Sequence, residues 1–226
     1  MVGIIGAMEI EVEQLCGLLS NLRVMERSSR TFYIGLLHEK EVVIVRAGIG
    51  KVNSAITTSI LCENFDIDYV INIGVAGGYN VLEKSLVISS QAIYFDADAR
   101  NFGYEMGQIP GEKQFFLADP ELIKKATLAS EELGFSFEVG TIATGDSFVT
   151  KVSQIEEVLE VAEDVLAIEM EGASIAQTAS LYNKPFLIVR SISDVVGSTG
   201  QMGNYEEFSK LAADIAARLV ERIIKK

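Results

Sequence analysis

Short apolar runs alternate with helical segments along the whole chain, and this alternation restricts the fold more than any other feature of the sequence. Residues 68–73 and 185–192 are typical of buried strands, and segments with helical periodicity lie between such runs. Residues 31–37 and 42–46 flank a polar turn and predict a hairpin. The pattern predicts an α/β fold, a three-layer α/β/α sandwich with a mixed central β-sheet. We expect a single domain over residues 1–226.

The charge balance favours a small-molecule ligand over a nucleic acid. There are 32 acidic and 19 basic residues, which give a net charge of −13, whereas nucleic-acid binding depends on concentrated lysine and arginine. No apolar run approaches the roughly 20 residues that a membrane-spanning helix needs, and the N-terminus lacks a signal-peptide pattern. We therefore expect a cytoplasmic protein that binds neither nucleic acid nor a membrane.

Few residues are available for histidine, thiol or metal chemistry. His38 is the only histidine and lies in a polar turn, so a catalytic triad is not expected. Cys16 and Cys62 are far apart and have no CxxC spacing, which predicts buried, reduced thiols without a metal or disulfide role. Acid–base chemistry in this chain must therefore use carboxylates, lysine or tyrosine.

Carboxylates lie at several predicted strand ends, where ligands of α/β sheets usually bind. Glu169 and Glu171 are two residues apart after an apolar run, so on a strand they would share one face and act as a pair. The other polar residues at strand ends are Glu11, Arg190, Ser193 and Asp194. A site built from carboxylates without histidine is typical of glycosidic bond cleavage through an oxocarbenium-like transition state.

Two other interpretations of these acids remain open from the residues alone. Glu169, Glu171 and Asp194 could bind a hard cation, which prefers oxygen ligands. Alternatively, the groups could be structural, with Asp194 capping a helix and Glu169 paired with Arg190. Residues 94–111 form a long aromatic segment that predicts a lid or an interface.

Eight short motifs occur in an order that resembles one enzyme family. They are IIGAMEIE (4–11), GIGKV (48–52), VAGG (75–78), DAD (96–98), FGY (102–104), GDSFV (145–149), EME (169–171) and SISD (191–194). As a set they resemble the 5′-methylthioadenosine/S-adenosylhomocysteine nucleosidases of the purine nucleoside phosphorylase superfamily. The similarity runs from residue 2 to the final helix, and it implies a nucleoside phosphorylase-like fold.

The resemblance implies hydrolysis of an N-glycosidic bond, giving adenine and a 5′-thio-substituted ribose without a cofactor or metal. It assigns water activation to Glu11, general acid catalysis at N7 of adenine to Asp194, and the ribose hydroxyls to Glu171. Asp194 would need a raised pKa, whereas Glu171 would need to remain charged.

The resemblance also implies the remaining contacts with an adenine nucleoside. Phe148 would stack on adenine, the backbone of Val149 would read its edge, and Met170 would pack under the sugar. Ser193 would support Asp194. The implied pocket also includes Met8, Ile49, Val75, Ala76, Gly77, Glu169 and Arg190. Phe102, Tyr104 and Pro110 would lie near the 5′ substituent, partly from the second subunit of a homodimer.

Three departures from the family pattern bear on the substrate. Val75 stands where the family often has serine, Phe95 where it often has histidine, and Lys84-Ser85 where Gly-Asp is usual. Some relatives that act on 6-amino-6-deoxyfutalosine in menaquinone synthesis have valine at the position of Val75, so this substrate is an alternative. A phosphate-dependent phosphorylase is a second alternative, although residues 74–78 lack the arginine that phosphorylases use for phosphate. Binding of purine nucleosides without cleavage is a third.

Overall fold

The computed structural model describes residues 1–199 and 201–226, without the side chains of residues 202, 204, 206 and 207. Its strands are β1 (Val2–Gly6), β2 (Ser20–Arg27), β3 (Arg30–Leu37), β4 (Lys40–Arg46), β5 (Tyr69–Gly78), β6 (Leu86–Tyr94), β7 (Phe116–Leu117), β8 (Phe137–Thr144), β9 (Val165–Glu169) and β10 (Phe186–Val195). Its α-helices are α1 (Glu9–Gly17), α2 (Lys51–Asn64), α3 (Pro120–Leu133), α4 (Glu156–Leu159), α5 (Gly172–Leu181) and α6 (Gln201–Lys225).

All of these strands belong to one mixed sheet, as the alternating pattern predicts. The strand order is β10-β6-β8-β9-β5-β1-β4-β3-β2, β7 pairs with β6, and an extra β10–β5 pairing closes part of the sheet on itself. Helices α1, α3 and α6 pack together on one side of the sheet, and α2 and α5 pack together on the other. The three-layer arrangement and the mixed sheet are therefore confirmed.

The centre of the sheet consists of the parallel strands β4, β1, β5 and β10. Parallel strands are covered by helices on both faces, so their sequences are continuous apolar runs rather than alternating ones. In β10 every residue from Phe186 to Asp194 is buried. Because β1, β5 and β10 point the same way, their carboxyl ends meet at one edge of the sheet, and the polar residues at their ends are brought together there.

None of the helices in the described part of the chain is both long and apolar enough to cross a membrane.

Candidate active site

A recess lies at the carboxyl ends of β1, β5, β9 and β10, and most of the side chains predicted from the sequence line it. The predicted residues that line it are Met8, Glu11, Ile49, Val75, Ala76, Gly77, Phe148, Glu169, Met170, Glu171, Ser193 and Asp194. Ala7, Ile168 and Tyr205 complete the wall. Val149 borders an adjoining part of the same space.

Glu11 lies in the first turn of α1, and its carboxylate is held by backbone groups. Its Oε2 accepts hydrogen bonds from the N–H groups of Ala7 (2.6 Å) and Met8 (2.8 Å), and its Oε1 accepts one from Val75 (3.2 Å). Burial raises the pKa of Glu11, while these hydrogen bonds act in the opposite direction. The carboxyl group is therefore fixed in position and inclined to bind a proton.

Glu171 lies where β9 gives way to α5, and its carboxyl group faces the recess. Its Oε1 accepts a hydrogen bond of 2.8 Å from the N–H of Gly50, and its Oε2 lies 3.9 Å from Nη2 of Arg190. Burial and the neighbouring charge of Glu169 raise the pKa of Glu171 to about 8. This direction is opposite to the one that the expected charged state of Glu171 needs.

Gly50 can donate this hydrogen bond because the turn before α2 has an unusual backbone conformation. Its φ is +95°, and a Cβ at this position would lie 2.9 Å from Oδ1 of Asp146. The same oxygen of Asp146 accepts a hydrogen bond of 2.8 Å from the N–H of Lys51, whose Nζ lies 2.7 Å from Asp96. The turn therefore has positive-φ glycine geometry and is held by charged neighbours.

Glu169 is directed away from Glu171 and into a buried network. Its carboxylate accepts hydrogen bonds from the N–H groups of Glu171 (3.0 Å) and Gly172 (2.8 Å), and it is ion-paired with Arg190 and hydrogen-bonded to Thr144. The expected pairing of Glu169 with Glu171 on one strand face is wrong, because β9 ends at Glu169 and the chain bends before Glu171. The structural alternative, an ion pair between Glu169 and Arg190, is confirmed.

Arg190 was expected in the pocket, but the structure places it behind the recess. It is 1% exposed, and its Nη2 also donates to Oδ1 of Asn72 at 2.6 Å. Its position lets the guanidinium compensate the charges of Glu169, Glu171 and Glu11, all of which act on it electrostatically. These contacts indicate that Arg190 orients the carboxylates and balances their charge, and that it does not contact a ligand directly.

Asp194 lies on β10 with both carboxyl oxygens hydrogen-bonded. Its Oδ1 accepts from the hydroxyl of Ser193 (2.6 Å) and its Oδ2 from Nε2 of Gln201 (2.8 Å). Burial raises the pKa of Asp194, although both hydrogen bonds favour the charged form. A raised pKa is the direction of shift that a general acid needs. A helix-capping role for Asp194 is wrong, because the residue belongs to a strand and its partners are side chains.

Gln201 bridges the two groups that the family resemblance assigns to adenine. Its Nε2 donates to Oδ2 of Asp194 and, at 2.8 Å, to the carbonyl oxygen of Val149. An amide N–H₂ group and the 6-amino group of adenine are both double donors. Gln201 thus satisfies the two acceptors that the resemblance assigns to adenine.

Apolar side chains form the rest of the recess. Phe148 packs edge-to-face on Tyr205, with ring centroids 5.6 Å apart and an angle of 78° between the rings. The hydroxyl of Tyr205 donates to the sulfur of Met8 at 3.6 Å. Tyr205 and Gln201 were not predicted from the sequence as site residues. An aromatic residue in the first turns of the helix that follows Asp194 was the one available indication.

Phe102, Tyr104 and Pro110 are not brought to this recess within one chain. Phe102 is 83% exposed, and Pro110 is also exposed. Phe102 belongs to a single 3₁₀ turn (Arg100–Phe102) in the long segment after β6. Any contact of these residues with a ligand in the recess would need a second subunit.

The carboxylates do not form a metal site in the part of the chain that the structure describes. No group of three or more histidine, cysteine, aspartate or glutamate side chains there converges as metal ligands would. The oxygens of Glu169 are already used by Arg190, Thr144 and backbone N–H groups. The arrangement instead offers the carboxyl groups of Glu11, Glu171 and Asp194, each with a raised pKa, beside an aromatic, apolar space.

Comparisons with known proteins give the family. The sequence profile of the phosphorylase superfamily matches residues 1–225. A 5′-methylthioadenosine/S-adenosylhomocysteine nucleosidase of Staphylococcus saprophyticus is 42% identical over 231 residues, covering 100% of this chain and 99% of the relative. A nucleosidase of the same kind from Colwellia psychrerythraea, solved in complex with adenine, is 38% identical with a TM-score of 0.94, covering 99% of this chain and 93% of that one.

A futalosine hydrolase mutant of Helicobacter pylori is also similar, with 27% identity, a TM-score of 0.92, and coverage of 99% of this chain and 97% of that one. The likeness to the methylthioadenosine enzymes is higher in sequence and extends over the full length of the chain. The chain belongs to the phosphorylase superfamily and, within it, to the 5′-methylthioadenosine/S-adenosylhomocysteine nucleosidases.

Proposed function

We propose that this protein hydrolyses the N-glycosidic bond of 5′-methylthioadenosine and S-adenosylhomocysteine, releasing adenine and the 5′-thio-substituted ribose. The observation that carries the proposal is the meeting of Glu11, Glu171 and Asp194, from three separate elements, around one recess with Phe148 and Met170. The nucleosidase of Colwellia psychrerythraea, which has the same fold, binds adenine. The proposed reaction needs no cofactor.

Asp194 is the general acid in this proposal. Cleavage of the bond leaves negative charge on the adenine, and a proton delivered to N7 makes the base a better leaving group. Burial raises the pKa of Asp194, which is the direction that favours a proton on a general acid. Ser193, whose hydroxyl is bonded to the same carboxyl group, sets its orientation.

In this proposal Glu171 binds the sugar and Glu11 activates the water molecule. Glu171 is positioned by Gly50 to bind the ribose hydroxyls. Hydrogen bonds donated by these hydroxyls favour the carboxylate form, so that the proton of Glu171 passes to solvent when the nucleoside binds, and the resulting charge stabilises the positive charge that develops on the ribose. Glu11, held by three backbone N–H groups, orients a water molecule and accepts its proton. An attack by water on an oxocarbenium-like sugar completes the hydrolysis.

Water is a better nucleophile for this recess than phosphate. No lysine or arginine is among the described residues that line it, and the carboxyl groups of Glu11 and Glu171 offer an anion no positive charge. The guanidinium of Arg190 lies behind the recess and is paired with Glu169. A phosphate ion would therefore find no cation to bind within the space.

Release of adenine from 5′-methylthioadenosine in phosphate-free buffer tests the proposal directly. We expect turnover without phosphate and no stimulation when phosphate is added. Strict dependence on phosphate would show a phosphorylase instead. A nucleoside that stays bound but uncleaved for hours would favour a purely binding function.

6-Amino-6-deoxyfutalosine is a second candidate substrate, and one observation favours it. Val75 lies in the wall of the recess, where a serine would add a polar contact beside the sugar and Glu11. The similar Helicobacter pylori protein is a futalosine hydrolase. Values of kcat/KM on 5′-methylthioadenosine, S-adenosylhomocysteine and 6-amino-6-deoxyfutalosine would rank the three substrates.

We propose that the active form is a homodimer in which the segment around Phe102, Tyr104 and Pro110 covers the 5′ end of the partner's site. Apolar side chains are exposed on α2 and just before it, with Ile49 at 53%, Val52 at 68% and Ile56 at 48%. Together with exposed Phe102, they form apolar surface typical of a protein interface. Sedimentation equilibrium should give twice the chain mass, and Val52→Asp should shift the protein toward monomer with reduced activity.

We place this reaction in the cytoplasm. Cys16 and Cys62 are unpaired in the structure, as thiols in a reducing compartment are. Cell fractionation with an antibody to the protein would test the location.

A further inference from the structure

A second, polar recess lies beside the nucleoside recess and shares part of its wall. Ala7, Met8 and Ile49 line both spaces. The second recess continues from them toward the ends of β3 and β4, where Arg30 and Arg46 lie. The two spaces are therefore adjacent at Met8 and Ile49, so a chain that leaves the nucleoside recess past these residues enters the second recess.

Arg30 carries a charge that no nearby carboxylate neutralises. Its Nη2 donates to Oδ1 of Asn53 at 2.7 Å, and its Nε donates to the hydroxyl of Thr57 at 3.0 Å. Both partners are neutral, and no acidic group of the described residues lies within ion-pairing distance of this guanidinium. The two hydrogen bonds fix the direction of the guanidinium and leave its charge available for an anion.

Arg46 adds a second positive charge to the same recess. Its Nη1 lies 3.4 Å from Oε2 of Glu9, and both side chains are more than half exposed. The recess therefore holds two guanidinium groups and one carboxylate, in a chain whose net charge is −13. This net positive lining adjoins a recess whose charged lining residues, Glu11, Glu169, Glu171 and Asp194, are all acidic.

We propose that this second recess binds the carboxylate at the far end of the substrate's 5′ substituent, with Arg30 and Arg46 as the recognising groups. The inference rests on the proposed nucleosidase function. S-Adenosylhomocysteine carries such a carboxylate on its homocysteine chain, and 6-amino-6-deoxyfutalosine carries one on its terminal benzoate. 5′-Methylthioadenosine has only a methyl group there. The recess thus selects substrates with an anionic 5′ chain.

Glu9 distinguishes the two sources of the carboxylate. Homocysteine has an ammonium group next to its carboxylate, and Glu9 lines the recess beside Arg46. The benzoate end of 6-amino-6-deoxyfutalosine has no amine. Replacing Glu9 should therefore weaken the use of S-adenosylhomocysteine and leave the use of the benzoate substrate the same or improved.

The experiment compares kcat/KM on the three substrates for the wild-type protein and for Arg30→Met, Arg46→Met and Glu9→Gln. For each carboxylate-bearing substrate, we take the ratio of its kcat/KM to the kcat/KM for 5′-methylthioadenosine. We expect each arginine variant to lower this ratio by about fivefold, the scale of a charged hydrogen bond at a partly exposed site. Arg23→Met is the matched control, because Arg23 is an exposed residue of the neighbouring strand outside both recesses. It should leave the ratio unchanged.

A substrate variant covers the case in which an arginine variant fails to fold. With the wild-type protein, the carboxamide of S-adenosylhomocysteine should have a kcat/KM about fivefold lower than that of S-adenosylhomocysteine itself. Arg30→Met should lower the kcat/KM for the carboxamide little further. If the wild-type protein cleaves 5′-methylthioadenosine but neither the arginines nor the amide changes the ratio, the inference is overturned while the proposed function stands. If no nucleoside is cleaved at all, the result contradicts both the proposed function and this inference.

Discussion

At the scale of single residues, the behaviour of Asp194 depends on two opposing influences. Burial raises the pKa of its carboxyl group, and the hydrogen bonds from Ser193 and Gln201 lower it. Burial is the larger cause, so the residue can hold a proton at a pH where an ordinary aspartate is ionised. A general acid that must protonate adenine requires this balance.

Asp194→Asn tests that role. Asparagine keeps the shape of the side chain but cannot deliver a proton, so we expect kcat on 5′-methylthioadenosine to fall about a hundredfold or more, with binding of the nucleoside retained. Steady-state kinetics and isothermal titration calorimetry would measure the two quantities. Asp98→Asn, at an exposed position outside the recess, is the control. Near-normal turnover by Asp194→Asn would refute the acid role.

Gln201 is expected to compete with the substrate for Asp194 and Val149. Adenine must displace its amide from both acceptors, so Gln201→Ala should lower KM for 5′-methylthioadenosine by about three- to fivefold, the scale of one net hydrogen bond. The loss of a donor should also raise the pKa of Asp194 further, which the pH profile of kcat/KM would show. Gln14→Ala, on the exposed side of α1, should change neither quantity. An unchanged or higher KM for Gln201→Ala would contradict the competition.

The predictions from sequence were strongest for residues that carry the family motifs. Glu11, Glu171 and Asp194 do line one recess, as do Met8 and Phe148. The ionisation of Glu171 could not be predicted, since it depends on burial and on the charge of Glu169, which only the folded chain brings together. Gln201 and Tyr205 were missed because α6 brings them to the recess from outside every recognised motif.

At the scale of elements, the backbone of β5 at Gly74 lies close to the carboxylate of Glu11 and the guanidinium of Arg190. A Cβ on Gly74 would lie 3.0 Å from Oε1 of Glu11 and 3.3 Å from Cζ of Arg190. Gly74 is paired in register with Arg190 on β10, so the strand cannot move away without breaking the sheet. A side chain at position 74 would therefore push against Glu11 and Arg190.

Gly74→Ala should displace the carboxyl group of Glu11 and stretch its 3.2 Å hydrogen bond from Val75. Because small misplacements of a reacting group are costly, we expect kcat to fall at least about tenfold. The kinetics of adenine release would measure this. Gly17→Ala is the control, since a Cβ there meets no atom within 4 Å. Gly17→Ala should leave kcat unchanged, and a fully active Gly74→Ala variant would show that the contact is not limiting.

Elements were predicted well where burial imposes a pattern and poorly where it does not. The central strands were recognised because both faces are buried. β2 (Ser20–Arg27) was missed, since it is an edge strand with almost every residue exposed and pairs only with β3. Between β8 and β9 the structure has a 3₁₀ turn (Val152–Gln154) and the one-turn helix α4, which are too short to show a helical period in the sequence.

At the scale of the whole molecule, the recess concentrates carboxyl groups whose pKa values folding raises. Burial has this effect on Glu11, Glu171 and Asp194. A folded state that binds more protons than the unfolded state loses stability as the pH rises. The site therefore has a cost in stability at neutral pH, which the remaining core of the sheet must offset.

Glu171 makes this cost measurable. Its pKa is about 8 in the folded protein against 4.5 as a free side chain, so its contribution is fully present below pH 4.5 and is lost as the pH rises through 8. We expect the free energy of unfolding to fall between pH 5 and 8, with a slope of at most about 1.4 kcal/mol per pH unit from this one proton. Exposed Asp98, whose pKa is about 2, does not titrate in that range.

Glu171→Gln removes the titrating group and keeps the shape of the side chain, so its stability should depend less steeply on pH across the same window. Urea unfolding at pH 5, 6, 7 and 8 would measure both slopes. Glu138→Gln, at an exposed position on β8, should keep the wild-type slope. A wild-type protein that gains stability from pH 5 to 8, or a Glu171→Gln variant with an unchanged slope, would mean that Glu171 is ionised before any nucleoside binds. In that case the charge facing the ribose would be present from the start rather than created when the nucleoside binds.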